Sequence, residues 1–143
     1  MKFEFDDGGR ADAGFKGEAD DCVTRAIAIA TSKSYQEIYD LVNEFGASER
    51  TSKKRKKKSS ARTGVYKPTI RKIMEHLGFE WIPMMGIGTG CLVHLKEDEL
   101  PSGTIIVNLS RHVSAVVDGV IYDTHDPSRD ETRCVYGYWK KEK

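Results

Sequence analysis

The stretch RHVSAVVDGVIYDTHDP, residues 111 to 127, decides how this chain folds. Asp118-Gly119 stands between two runs rich in β-branched residues. An Asp-Gly pair in that setting signals a two-residue hairpin turn, because both turn positions need positive φ. With Asp118 and Gly119 as the loop, Val117 faces Val120, Ser114 pairs with Asp123, and His112 pairs with His125. One face of the hairpin then holds His112, Ser114, Val116, Ile121, Asp123 and His125. The other holds Val113, Ala115, Val117, Val120, Tyr122 and Thr124, and is apolar enough to be core. The first face turns polar toward the open end.

Outward from the hairpin, TIIVNL at 104 to 109 and RCVYGYWK at 133 to 140 read as further strands. The earlier part of the chain reads as helices. In ADDCVTRAIAIAT, residues 19 to 31, the cap residues Asp20 and Asp21 precede Val23, Ala26, Ile27 and Ala30 at i, i+3, i+4, i+7 spacing. A helix is expected from about 20 or 21 to 30, with Cys22 in its first turn. Ser34 and Glu37 form a capping-box pattern before Tyr35, Ile38, Tyr39, Leu41, Val42 and Phe45, with Gly46 as the stop. Pro68 starts a third helix that ends at Leu77 before Gly78. FEWIPMMGIGTG, residues 79 to 90, is a strand or extended segment broken by glycines. Its GIGTG lacks the GK[ST] ending of a phosphate loop and is read as a turn. Helices first and antiparallel strands afterwards give an α+β layout, one domain over residues 1 to 143.

Composition narrows the function. The chain has 143 residues with 23 Lys+Arg and 22 Asp+Glu, a net charge of +1. Lys53, Lys54, Arg55, Lys56, Lys57 and Lys58 form one basic block. The rest carries 17 basic against 22 acidic residues, a balance of −5. That is not the spread basic face of a nucleic-acid-binding domain. No apolar run approaches the roughly 20 residues that cross a bilayer. MKFEFDDGGRADAG at the start has neither the basic n-region nor the apolar h-region of a secretory signal. A cytosolic, reducing setting follows, with Cys22, Cys91 and Cys134 as free thiols. Without CxxC or zinc-finger histidine spacing, a structural metal is not expected.

The chemistry-bearing residues are at the two places already singled out. His112 and Asp123 are diagonal neighbours on one hairpin face, about 7–8 Å apart at the backbone and within side-chain reach. A carboxylate bonded to one ring nitrogen fixes the tautomer and leaves the other nitrogen free to take a proton. Cys22 supplies a nucleophile. A thiol in the first turn of a helix feels the positive end of the dipole, and a neighbouring imidazolium favours the thiolate further. The backbone N–H of Cys22 can hydrogen-bond an acyl oxyanion. Asp20 and Asp21 oppose the thiolate and are read as caps. His125 remains a rival for the base and Asp126 for the acid, although strand alternation turns Asp126 away from His112. Ser114 is read as a small residue making room, and Cys91 and Cys134 as packing residues.

DDCVTRAIAIAT resembles the helix start shared by bacteriocin-leader peptidases and ubiquitin-like-protein proteases, and RHVSAVVDGVIYDTHDP resembles their His strand, turn and Asp strand. Together they resemble the papain-like cysteine peptidase fold from residue 20 to about 127, in the order Cys, His, Asp. The resemblance implies Cys22 as nucleophile, His112 as base and Asp123 as orienting acid. It also implies a peptide or protein substrate and no cofactor. The similar short proteins are phage and bacterial chains, which implies the cytoplasm of a bacterial or phage-infected cell. The family places a Gln six positions before the Cys to complete the oxyanion hole. Here that position is Lys16, a flexible and strongly hydrated donor, and Asn108 is a second candidate.

Residues 47 to 64, ASERTSKKRKKKSSARTG, have almost no apolar content and read as a mobile surface loop. Its basic block fits nucleic acid or an acidic partner, although no aromatic residue interrupts the run as a stacking platform. A catalytically inactive papain-like binding or accessory protein using that loop is the alternative to a hydrolase.

Overall fold

The structure, a computed structural model, describes residues 1–54 and 56–141, and Arg55 of the basic block lies outside them. In chain order the elements are β1 (Lys2–Phe5), α1 (Cys22–Thr31), α2 (Tyr35–Ala47), α3 (Lys67–His76), β2 (Phe79–Pro83), β3 (Thr104–Leu109), β4 (His112–Val117), β5 (Val120–Asp123) and β6 (Gly137–Lys141). This is an α+β arrangement. Among the described residues it has three α-helices and one six-stranded sheet ordered β1-β5-β4-β3-β6-β2.

The hairpin forms in the expected register, with Val117 opposite Val120, Val116 opposite Ile121 and Ala115 opposite Tyr122. Asp118 and Gly119 have φ of 49° and 80°, as a turn with two left-handed positions demands. The sheet differs from the expected C-terminal antiparallel one. Its edge strand β1 comes from the N-terminus and pairs parallel with β5, Lys2 opposite Val120 through Phe5 opposite Asp123, so the sheet is mixed. Both of its faces are also buried, where one core face was expected. Val113, Ala115, Ile106 and Trp139 pack under the helices with Ile27, Ile38, Val42 and Ile73. Val116, Ile121, Ile105 and Val107 pack on the other side with Leu95 and Val135, which the 93–100 and 133–135 segments bring across.

The helix boundaries follow the local chemistry. Ser34 caps α2 by accepting from the Glu37 N–H at 3.1 Å, and Pro68 stands in the first turn of α3. Gly46 was expected to stop α2 but lies inside it, buried. A Cβ there would come within 2.1 Å of the Ser59 carbonyl oxygen, so the glycine admits the returning chain rather than ending the helix.

That return ties the ends of the segment 47 to 64, read from the sequence as a mobile loop, to the body of the protein. The Glu49 carboxylate accepts from the Ser59 N–H at 2.6 Å and from the hydroxyls of Ser59 and Thr69. The Ala61 N–H donates to Asn43 Oδ1 at 2.8 Å, and the Thr24 hydroxyl donates to the Ala61 carbonyl at 3.1 Å. Ser59 and Ala61 are buried in consequence. Polar groups that hydrogen-bond in register do here what an apolar sequence would otherwise do. Lys53, Lys54, Lys56, Lys57 and Lys58 are exposed between these anchored ends.

The cysteines also depart from expectation. Cys91 and Cys134 are not free packing residues but a surface disulfide with Cα atoms 5.8 Å apart. An antiparallel bridge between His94 and Cys134 brings the two segments together. Cys22 is then the free cysteine among the described residues. No described helix is long and apolar enough to cross a membrane.

Candidate active site

Cys22 is the first residue of α1 and His112 the first of β4, and both open into one cleft of about 760 Å³. The helix crosses the sheet over Val113 and Ala115, which sets its N-terminal end beside the start of β4. As the first helical residue, Cys22 has an N–H with no acceptor inside the helix. Its side chain is partly exposed at the cleft.

His112 Nε2 lies 2.7 Å from Asp123 Oδ2. An ionised carboxylate only accepts, so Nε2 carries the proton of that bond and Nδ1 is left for another partner. Cys22 lines the same cleft as the ring, and its sulfur favours the protonated imidazole. Asp123 is 4% exposed, which makes its bonding decisive. Its Oδ2 also accepts from the Ser114 hydroxyl at 2.7 Å, and its Oδ1 from the Thr124 N–H at 2.7 Å. Burial disfavours the Asp123 charge, but the His112 and Ser114 hydrogen bonds, the His112 charge and the Thr124 N–H outweigh it and hold the carboxyl at about 2. Burial likewise disfavours the His112 charge. The Asp123 hydrogen bond and charge, with the nearby Cys22 sulfur, outweigh that too, pushing the imidazole up to about 9. At neutral pH the ring is an imidazolium held between a carboxylate and a sulfur.

The rivals are set apart. His125 is exposed, its ring centroid 5.1 Å from that of His112, and it lines the mouth of the cleft. Asp126 is exposed and accepts instead from the Ser128 N–H at 2.9 Å. Asn108 lines the cleft. Lys16 is exposed and outside the cleft lining. Its carbonyl accepts from Arg10 at 3.3 Å and Arg62 at 3.0 Å.

Several neighbours were not read from the sequence. Ser114 is a hydrogen-bond donor to Asp123, not a space-maker. Asp21 occupies the N-cap position of α1 but makes no side-chain cap bond, which corrects the cap reading. Only 2% exposed, its carboxylate accepts from the Tyr35 hydroxyl at 2.7 Å and pairs with Arg25 and, at 3.4 Å, with Arg10. Two guanidinium groups thus offset a charge that would oppose a thiolate next door. Arg25 also reaches Asp123 Oδ1 at 3.5 Å, tying the Cys22 helix to the Asp123 strand. The available signal was spacing, since Arg25 lies one helical turn beyond both Asp21 and Cys22. Among the described residues no three His, Cys, Asp or Glu side chains converge as metal ligands would.

Compared with protein-family models, with curated proteins and with solved structures, the chain matches none.

Proposed function

We propose that this protein is a thiol-dependent amide hydrolase of the cysteine peptidase type, on a papain-like fold. The reading rests on one observation, the His112 imidazole bonded to Asp123 at 2.7 Å in the same cleft as Cys22, whose sulfur at a helix start favours the protonated ring. The sulfur attacks the carbonyl carbon of a peptide or other amide, with its proton held on His112. The oxyanion is met by the Cys22 N–H and the Asn108 amide. His112 gives its proton to the leaving amine as the C–N bond breaks, leaving a thioester. Water that loses a proton to His112 then attacks the thioester carbonyl, the C–S bond breaks, and the acid and free Cys22 are released. Asp123 holds the ring in the tautomer that both steps use.

With Cys91 and Cys134 bonded to each other, an alkylating agent reports Cys22 alone. Iodoacetamide is expected to label Cys22 at pH 7 well faster than it labels a small-molecule thiol, and His112→Ala to slow labelling about a hundredfold. Hydrolysis of fluorogenic peptides is expected to vanish in Cys22→Ala. Labelling at an ordinary thiol rate, indifferent to His112→Ala, would remove the hydrolase reading.

A second reading is favoured by the exposure of Lys53, Lys54, Lys56, Lys57 and Lys58 between anchored ends. In it the chain is a binding or accessory protein that holds nucleic acid or another polyanion through the loop. Retention on heparin that is lost on replacing these lysines by serine, together with slow labelling of Cys22, would favour it over hydrolysis.

A further inference from the structure

A second hollow of about 640 Å³ adjoins the Cys22 cleft, and Lys67, Ile70, Asn108, Val113 and Tyr136 line both, so the two are one continuous groove. Its floor is aromatic. Trp81 and Trp139 pack tilted against each other with centroids 5.0 Å apart, and Trp81 lies so close over Gly137 that a Cβ there would meet its ring at 2.4 Å. Its outer wall is the 84–90 turn, where Ile87 stands fully exposed and Met85 is exposed beside it. An isoleucine left in water forgoes its burial, which an apolar ligand on the rim would recover.

In the second hollow the charges have one sign, whereas the adjoining Cys22 cleft is lined by Asp20 and Asp21 as well as Arg25 and Arg111. Lys67 and Arg71 line the second hollow from successive turns of α3, no Asp or Glu lines that hollow, and neither cation is in an ion pair among the described residues. A volume of this order holds one large side chain with part of its neighbour.

We propose that this groove is a substrate-recognition site for a peptide segment carrying a bulky apolar side chain next to an acidic residue. The apolar group lies on the two tryptophans under Ile87, and the carboxylate meets Lys67 and Arg71. The proposal rests on the hydrolase reading for its link to catalysis, but the binding itself is testable apart from it.

Both tryptophans of the chain line this groove, so intrinsic emission reports it alone. Cys22→Ser protein is titrated with acetyl-Gly-Gly-Phe-Asp-Gly-amide, and with the same peptide carrying Ala for Phe or Lys for Asp. The first is expected to shift the emission saturably, the Ala peptide to bind roughly tenfold or more weakly, and the Lys peptide about threefold more weakly at low salt. In the Lys67→Glu, Arg71→Glu double variant the preference between Asp and Lys is expected to invert. Equal binding of all three peptides, no change in emission, or an oligonucleotide that competes as well as the Phe-Asp peptide would overturn the proposal. Iodoacetamide labelling of the wild-type protein separates the two ideas. Fast, His112-dependent labelling without peptide discrimination sinks only the groove, whereas discrimination with slow labelling sinks only the hydrolase.

Discussion

At the scale of single residues the site is a chain of compensated charges, and the compensation sets its pH behaviour. His112 is raised from 6.5 to about 9, so its contribution to stability is full below 6.5 and is lost as pH rises through about 9. Asp123 is lowered from 3.8 to about 2, so its contribution is present above 3.8 and is lost as pH falls through about 2. Calorimetry is expected to show a melting temperature that declines between pH 6.5 and 10 by more in the wild type than in His112→Gln. Parallel declines would mean that the imidazole is not held as a cation. Arg25 gives a second test, because it is the shared partner of two buried carboxylates. Removing one member of a buried pair costs about 3–5 kcal/mol where the other charge is left uncompensated. Arg25→Ala leaves Asp21 with Arg10 and Tyr35 and Asp123 with His112, so it should lose stability in urea by less than that, with part regained in the Asp21→Asn, Arg25→Ala double variant. Neither Arg25 nor Ser114 was legible beforehand, since each is defined by what it meets across space. The His112 and Asp123 pairing was legible, because hairpin register alone places the two side chains together.

Elements show where sequence patterns carry over and where they fail. The Asp118-Gly119 turn and the Ser34 cap act locally, within a few residues, and their chemistry could be read directly. Strand β1 could not, for Lys2–Phe5 is only four residues long and its partner strand begins at Val120. The disulfide was missed for a similar reason, since Cys91 and Cys134 are 43 residues apart and are brought together by an isolated bridge. Gly46 shows a local rule overridden. Propensity says that Gly→Ala inside a helix gains about 1 kcal/mol. The 2.1 Å approach to the Ser59 carbonyl says that the methyl has no room, and forced overpacking costs about 1–3 kcal/mol. The clash wins in this comparison, so Gly46→Ala should destabilise the protein in urea titration. A stabilised variant would show that the 59–61 segment yields easily.

Taken whole, the molecule rests on one sheet buried on both sides, with helices on one face and irregular chain on the other. The α+β class could be read because helix periodicity occupies the first half of the chain and strand periodicity the second. The covering of the far face could not, because the segments around Leu95 and Val135 have no period of their own. The exposed lysines between the Glu49 and Ser59 anchors have a practical consequence. They mark a place where the backbone can be cut while the surrounding contacts persist. Trypsin acting there would leave a front piece bearing Cys22 and a rear piece bearing His112 and Asp123, interlocked through the parallel pairing of β1 with β5. The nicked halves should travel together in gel filtration without denaturant. Prepared separately, neither should show rapid alkylation, and mixing should restore it, a two-part reporter whose signal requires reassembly.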